Sequence, residues 1–291
     1  MTTLDYTAIC NSYLHERALL FEACIAHLSD PKMAEAVRKA VFWENGYVEA
    51  ANEIRGIFSK EPDLNGVLEF SLPPERPQIE RCGRWLRLQV TTSYVLDLSL
   101  YDHDYEIYYH ALSPKTHKKV RYLRNALPKR QTRVVPLNTA HGFNLFEELY
   151  AAQFPKYPMG SPRNKALREA YRYLHEQGCN WSHLLLDENN TAIAACLAYK
   201  HGDSVFYTHL TRRAGAFDKL SPGFYLTHWL IAQLFSEGVN RFFMGPGTYD
   251  YKKALLGQPL PVYRYVHRSL WNLPAILRLH HRLRKELRQT N

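Results

Sequence analysis

The sequence predicts a mixed α/β (α+β) protein: a largely antiparallel sheet flanked by helices, preceded by a helical N-terminal region. Three observations lead there. Apolar residues make up 46% and charged residues 22% of the 291-residue chain, the balance of a globular protein with a sizeable core. The runs 181–186, 192–199 and 204–210 are separated by the polar turns Asp187-Glu188-Asn189-Asn190 and His201-Gly202-Asp203, which makes them an antiparallel meander. After the meander, Phe224–Phe235 carries apolar residues at helical spacing and Arg241–Met244 is a short apolar run, so a helix and a buried strand follow.

The remaining elements follow in chain order. Residues 1–60 read as two helices, 4–28 and from Asp30-Pro31 to about Phe58, with no chemistry of their own. Prolines 62, 73, 74 and 77 mark a loop around a candidate strand at Leu64–Leu72. Trp85–Val90 alternates like a half-buried strand, and Tyr94–Leu98 is a second. A short helix begins near Asp104. At Ser113-Pro114 a hydroxyl cap and a first-position proline open a basic helix, 113–127, whose apolar stripe is Val120, Leu123 and Leu127. Val134, Val135 and Leu137 suggest a strand, 143–154 and 165–178 are helical, and 155–162 is a loop rich in Pro, Gly and Tyr that could cover a pocket.

Net charge is +9, unevenly spread. Eight Lys/Arg and no carboxylate lie between Ser113 and Arg133, and seven Lys/Arg against Glu286 lie between Arg264 and Arg288. Such segregation points to a polyanionic partner: a nucleotide cofactor, RNA or an anionic membrane surface. Five scattered cysteines without metal-site spacing suit reduced thiols in a cytoplasmic protein, and no metal site is expected, since His280-His281 is the single adjacent histidine pair. The run MTTLDYTAIC has no basic flank before an apolar core, so no secretory signal is expected. Residues 269–291 hold a basic amphipathic helix, Trp271–Leu287, suited to an acidic membrane surface, RNA or the parent fold.

The chemistry concentrates between Lys219 and Gly257. A helix opening at Ser221-Pro222-Gly223, beside Arg212, Arg213 and Lys219, presents first-turn N–H groups and a positive dipole end to an anion. Ser221 reads as its N-cap. Gly245-Pro246-Gly247 then breaks the short strand before Tyr249-Asp250-Tyr251-Lys252-Lys253.

The order strand, basic loop, SPG, helix, strand, GPGTYDYKKALLG resembles the CelD/BcsL-like acetyltransferases of the GNAT superfamily, labelled with cellulose biosynthesis and related to Fem-type aminoacyl transferases. Ser221-Pro222-Gly223, Tyr251-Lys252 and the upstream Ser113-Pro114-Lys115-Thr116-His117-Lys118-Lys119 carry the resemblance, which spans roughly residues 95–268. It implies an acyltransferase core at 151–268, moving an acyl group, acetyl foremost, from acyl-CoA to an amine in envelope or polysaccharide metabolism. Segment 61–150 becomes a candidate degenerate first lobe. Two alternatives stand beside it: an aminoacyl-tRNA donor, and a non-catalytic scaffold. The implied donor seat is Arg212, Arg213, Lys219, Ser221, Gly223 and Phe224, with Lys252 holding a phosphate or an acceptor carboxylate. His209, at the end of a strand, is a candidate general base, or else a strand histidine satisfied by a neighbour. Asp250 is the second candidate base, and Tyr249 or Tyr251 the acid for the leaving thiolate. The chain departs from the common GNAT pattern in having Arg212-Arg213-Ala214-Gly215-Ala216 well before the helix, which leaves that loop open as an acyl-carrier or acceptor contact.

Overall fold

The computed structural model describes residues 67–71, 79–82, 85–176, 178–215, 217–247 and 249–267. The two N-terminal helices and the C-terminal basic helix expected from sequence lie outside the described residues.

Among the described residues nine strands form one sheet: β1 (Val67–Ser71), β2 (Ile79–Cys82), β3 (Trp85–Asp97), β4 (Arg133–Pro136), β5 (His183–Leu186), β6 (Ala192–His201), β7 (Ser204–Arg212), β8 (Arg241–Pro246) and β9 (Gln258–His267). Their order is β1-β9-β3-β8-β7-β6-β5-β4, with β2 also on β3. Every pairing is antiparallel except β7 with β8. The strands of segment 61–150 belong to this same sheet, β3 pairing with both β8 and β9.

Helices α1 (Tyr105–Ala111), α2 (Pro114–Ala126) and α5 (Pro222–Ser236) cover one face, and α3 (Ala140–Gln153) and α4 (Pro162–Glu176) the other. Side chains alternate across β3: Tyr94 and Leu96 enter the first core with Leu226, Leu230 and Leu234 of α5, whereas Val95 enters the second with Phe146 and Leu149 of α3. The basic helix starts as its sequence requires, Ser113 Oγ accepting from Thr116 N–H at 3.3 Å and Pro114 at the first position.

Two local readings are corrected, and a strand that the sequence reading did not place appears at Gln258–His267. Trp85–Val90 and Tyr94–Leu98 are not two strands but parts of β3, which runs 13 residues. Register shifts at Gln89/Thr91 against β9 and Ser93/Val95 against β8 absorb the break in alternation. Leu98 falls outside it, in a 3-10 turn capped by Asp97. Second, Ser221 is not a side-chain cap. Its N–H closes the preceding turn on Asp218 O at 3.0 Å, which holds Ser221 at φ +43°, and its hydroxyl makes no capping bond. That strand, β9, was hidden by Pro259 and Pro261. These prolines lie two apart, Pro259 opposite Tyr94 and Pro261 opposite Thr92 on β3.

Between α1, α2 and α5 lies a partly buried network with a pH consequence. Arg124 Nη1 donates to Tyr105 Oη at 3.3 Å, so the Tyr105 hydroxyl is left to donate to His228 Nε2 at 3.1 Å. Burial, and then the Arg124 charge, push the His228 pKa down to about 4. In the unfolded chain the ring protonates near its ordinary value of about 6.5. As pH falls from about 6.5 to about 4 the unfolded state therefore binds more protons, and up to about 3 kcal/mol of stability is lost. His228→Gln is expected to flatten that part of the urea-midpoint profile relative to the parent. An unaltered slope would show that His228 titrates alike in both states.

Candidate active site

The parallel pair β7–β8 is the origin of the site. It pairs at Ser204↔Arg241, Val205↔Phe242 and Phe206↔Phe243, and no further. Past Phe206 and Phe243 the strands part, and a cleft of about 640 Å³ opens between Tyr207–Leu210 of β7 and Met244–Gly245 of β8. Gly245 makes the divergence: its φ is +68°, and a Cβ there would stand 2.8 Å from the Tyr207 carbonyl oxygen. The first turn of α5 forms one wall through Ser221, Gly223 and Phe224, and Tyr150, Gln153 and Phe154 of α3 form another.

The structure gathers eight of the expected site residues on this cleft and leaves three off it. His209, Arg212, Ser221, Gly223, Phe224, Tyr249, Tyr251 and Lys252 line it. Arg213 turns away, its Nε donating to Ala192 O at 3.1 Å. Lys219 and Asp250 are exposed and outside the lining. The first turn of α5 has unpaired amide groups to offer an anion, as any helix start does. Gly223 itself is small for a packing reason, since a Cβ would sit 3.0 Å from Leu210 Cδ2 on β7. Arg212 is engaged by Asp218, whose carboxyl is held below its ordinary range by the Gly215 N–H and by Arg212.

Lys252 is a strongly perturbed group in the cleft. It belongs to α6 (Asp250–Ala254), is 1% exposed, and its Nζ donates to Gly245 O at 2.8 Å. The Tyr249 and Tyr94 ring centroids lie 5.3 and 5.8 Å from that nitrogen. Burial lowers its pKa to about 7, so the amine exchanges a proton near neutrality. Tyr251 Oη lies 3.4 Å from Tyr207 Oη, and burial pushes its pKa up to about 12, which keeps the phenol protonated. His209 Nδ1 lies 3.1 Å from Thr208 Oγ1, with the Tyr150 ring edge-on at 5.6 Å.

Lys119 adds what the site readings left out. It reaches the cleft from α2, with its Nζ 4.3 Å from the Phe224 ring centroid, and burial followed by Lys115 lowers its pKa. Its place in a basic helix was visible in sequence, but its aim depends on how α2 packs on α5. Lys119 and the other cations of α2, Lys115, Lys118, Arg121 and Arg124, are all exposed. Together the cleft offers an anion seat at one end, a protonated phenol, and an amine that is half neutral at pH about 7.

Residues 114–253 match the family model described as "Acetyltransferase (GNAT) domain". The structure is similar to that of FemX, with TM-score 0.54 and 9% identity over 77% of this chain and 78% of that one, a likeness of fold. L-PGS from Bacillus licheniformis gives TM-score 0.45 and 14% identity over 68% of this chain and 66% of that one, just under two thirds of its length. No curated protein matches the sequence. The mixed, largely antiparallel α/β architecture is GNAT-like, and residues 114–253, just under half of the chain, are similar to a GNAT acetyltransferase domain.

Proposed function

We propose that the protein moves an acyl group, acetyl foremost, from acyl-CoA to an amine acceptor, as a CelD/BcsL-like member of its superfamily acting in the cytoplasm. The observation that carries this reading is the parting of β7 and β8 beyond Phe206 and Phe243. It leaves strand-edge amide and carbonyl groups to grip an extended, amide-bearing donor arm inside the sheet, with the α5 first turn and Lys119 at one end for its phosphates. The residues present fit such a co-substrate, which would supply the activated acyl group. Lys252, near-neutral and buried, takes the proton of the acceptor amine, and the Tyr251 phenol protonates the departing thiolate. His209 remains a second candidate base on the same wall, whereas exposed Asp250 lies off the cleft lining.

A second reading replaces the donor with aminoacyl-tRNA. It is favoured by the exposed cations of α2 that continue outward from Lys119. A long polyanion would release counterions across many of them, whereas CoA would meet few. Neutralising Lys118, Lys119 and Arg124 together is expected to weaken acetyl-CoA binding by less than about tenfold, roughly 1.4 kcal/mol. Donor affinities at low and moderate salt, with and without the triple substitution, check this. A steep salt slope with tRNA, flattened by the substitutions, would favour the second donor.

A further inference from the structure

The cleft that seats the donor also holds a primary amine of its own. Lys252 Nζ lies at the point where β8 leaves β7, on the carbonyl of Gly245 and between the Tyr94 and Tyr249 rings. An acyl donor threaded along the parted strands must bring its carbonyl carbon past this nitrogen. We propose that Lys252 is itself an acyl acceptor, so that in the absence of an amine substrate the enzyme acylates Lys252 and closes its own site.

This rests on the acyl-CoA reading above, and the chemistry balances without any further reactant. The lone pair of neutral Nζ adds to the thioester carbonyl carbon, the C–S bond breaks, and the thiolate leaves with the proton that Nζ sheds. The products are an N-acyl lysine and free CoA thiol. An exposed lysine near its ordinary pKa of about 10.4 is neutral in less than about one molecule in a thousand at pH 7. Lys252 is neutral in about half, because burial lowers its pKa to about 7. Titratable and charged side chains on the elements around the cleft are Tyr94 of β3, Tyr207, His209 and Arg212 of β7, Lys119 of α2, Tyr150 of α3, Asp218, and Tyr249 and Tyr251 beside the lysine. At 1% exposure the resulting amide is shielded from water. It also removes the proton-exchanging amine that transfer requires, so acylation and activity are mutually exclusive.

The test incubates the full chain with acetyl-CoA and no acceptor, then maps acetylated peptides by mass spectrometry. Lys252 should carry at least about tenfold more acetyl than the exposed Lys115, Lys118 and Lys129, in line with its larger neutral fraction. Excess CoA should suppress acetylation at Lys252 and leave the exposed sites unchanged. The Lys252 rate should climb with pH through about 7 and then level off. Acetylation spread over exposed lysines, or indifferent to CoA, overturns the inference. Thermal shift with acetyl-CoA, run in parallel, separates the two claims. Binding without Lys252 acetylation sinks this inference alone, whereas absence of binding sinks the acyl-CoA reading with it.

Discussion

Replacing Lys252 by methionine is expected to lower acyl transfer by about 10²–10⁴-fold while leaving stability unchanged or raised. The two effects have opposite signs for one reason. Lys252 is 1% exposed and burial lowers its pKa to about 7, so the fold carries the cost of dehydrating an amine. Methionine fills similar volume without that cost, at the loss of one bond to Gly245 O. Removing the amine also removes the group proposed to take the acceptor's proton. Unfolding midpoints and steady-state rates measured on the same preparation check the pair. A variant that loses stability and keeps its rate would make Lys252 a packing residue.

Gly245→Val should destabilise the fold by about 3 kcal/mol or more. The position has φ +68°, where a β-branched residue is strained, and its Cβ would meet the Tyr207 carbonyl oxygen at 2.8 Å. Relief requires β8 to shift against β7, which closes or distorts the parting that forms the cleft. Gly245→Ala meets the same oxygen and should lose about 1–3 kcal/mol from backbone strain alone. Denaturant unfolding of both variants is the measurement. Losses below about 0.5 kcal/mol would mean that the backbone at Gly245 is not held in the left-handed region.

The outcome for each element follows from how local its determinants are. The meander was legible because two polar turns fix where three apolar runs end, and α2 because Ser113 and Pro114 write its start into adjacent residues. Strand β9 was not legible, because prolines within a run argue against a strand. The continuity of β3 depends on register shifts set by two different partners. Within the site, the SPG start of α5 and the Tyr251-Lys252 pair were visible as motifs. The contact that a Cβ on Gly223 would make with Leu210 across the sheet was not, because it depends on how α5 packs on β7. Likewise Ser221 looks like a cap in sequence, and only the preceding 3-10 turn bends it out of capping geometry. The low pKa of Lys252 required its burial, which nothing in the pair Lys252-Lys253 distinguishes; Lys253 is exposed.

Thermal unfolding of the full chain with acetyl-CoA, against the same experiment with bulk tRNA, tests the donor assignment most directly. A donor present at about a hundred times its Kd stabilises the folded state by about 2.7 kcal/mol. Acetyl-CoA should produce a shift of that size, little changed at moderate salt, and tRNA should produce none. Stabilisation by tRNA that falls steeply with salt, with no response to acetyl-CoA, would contradict the account.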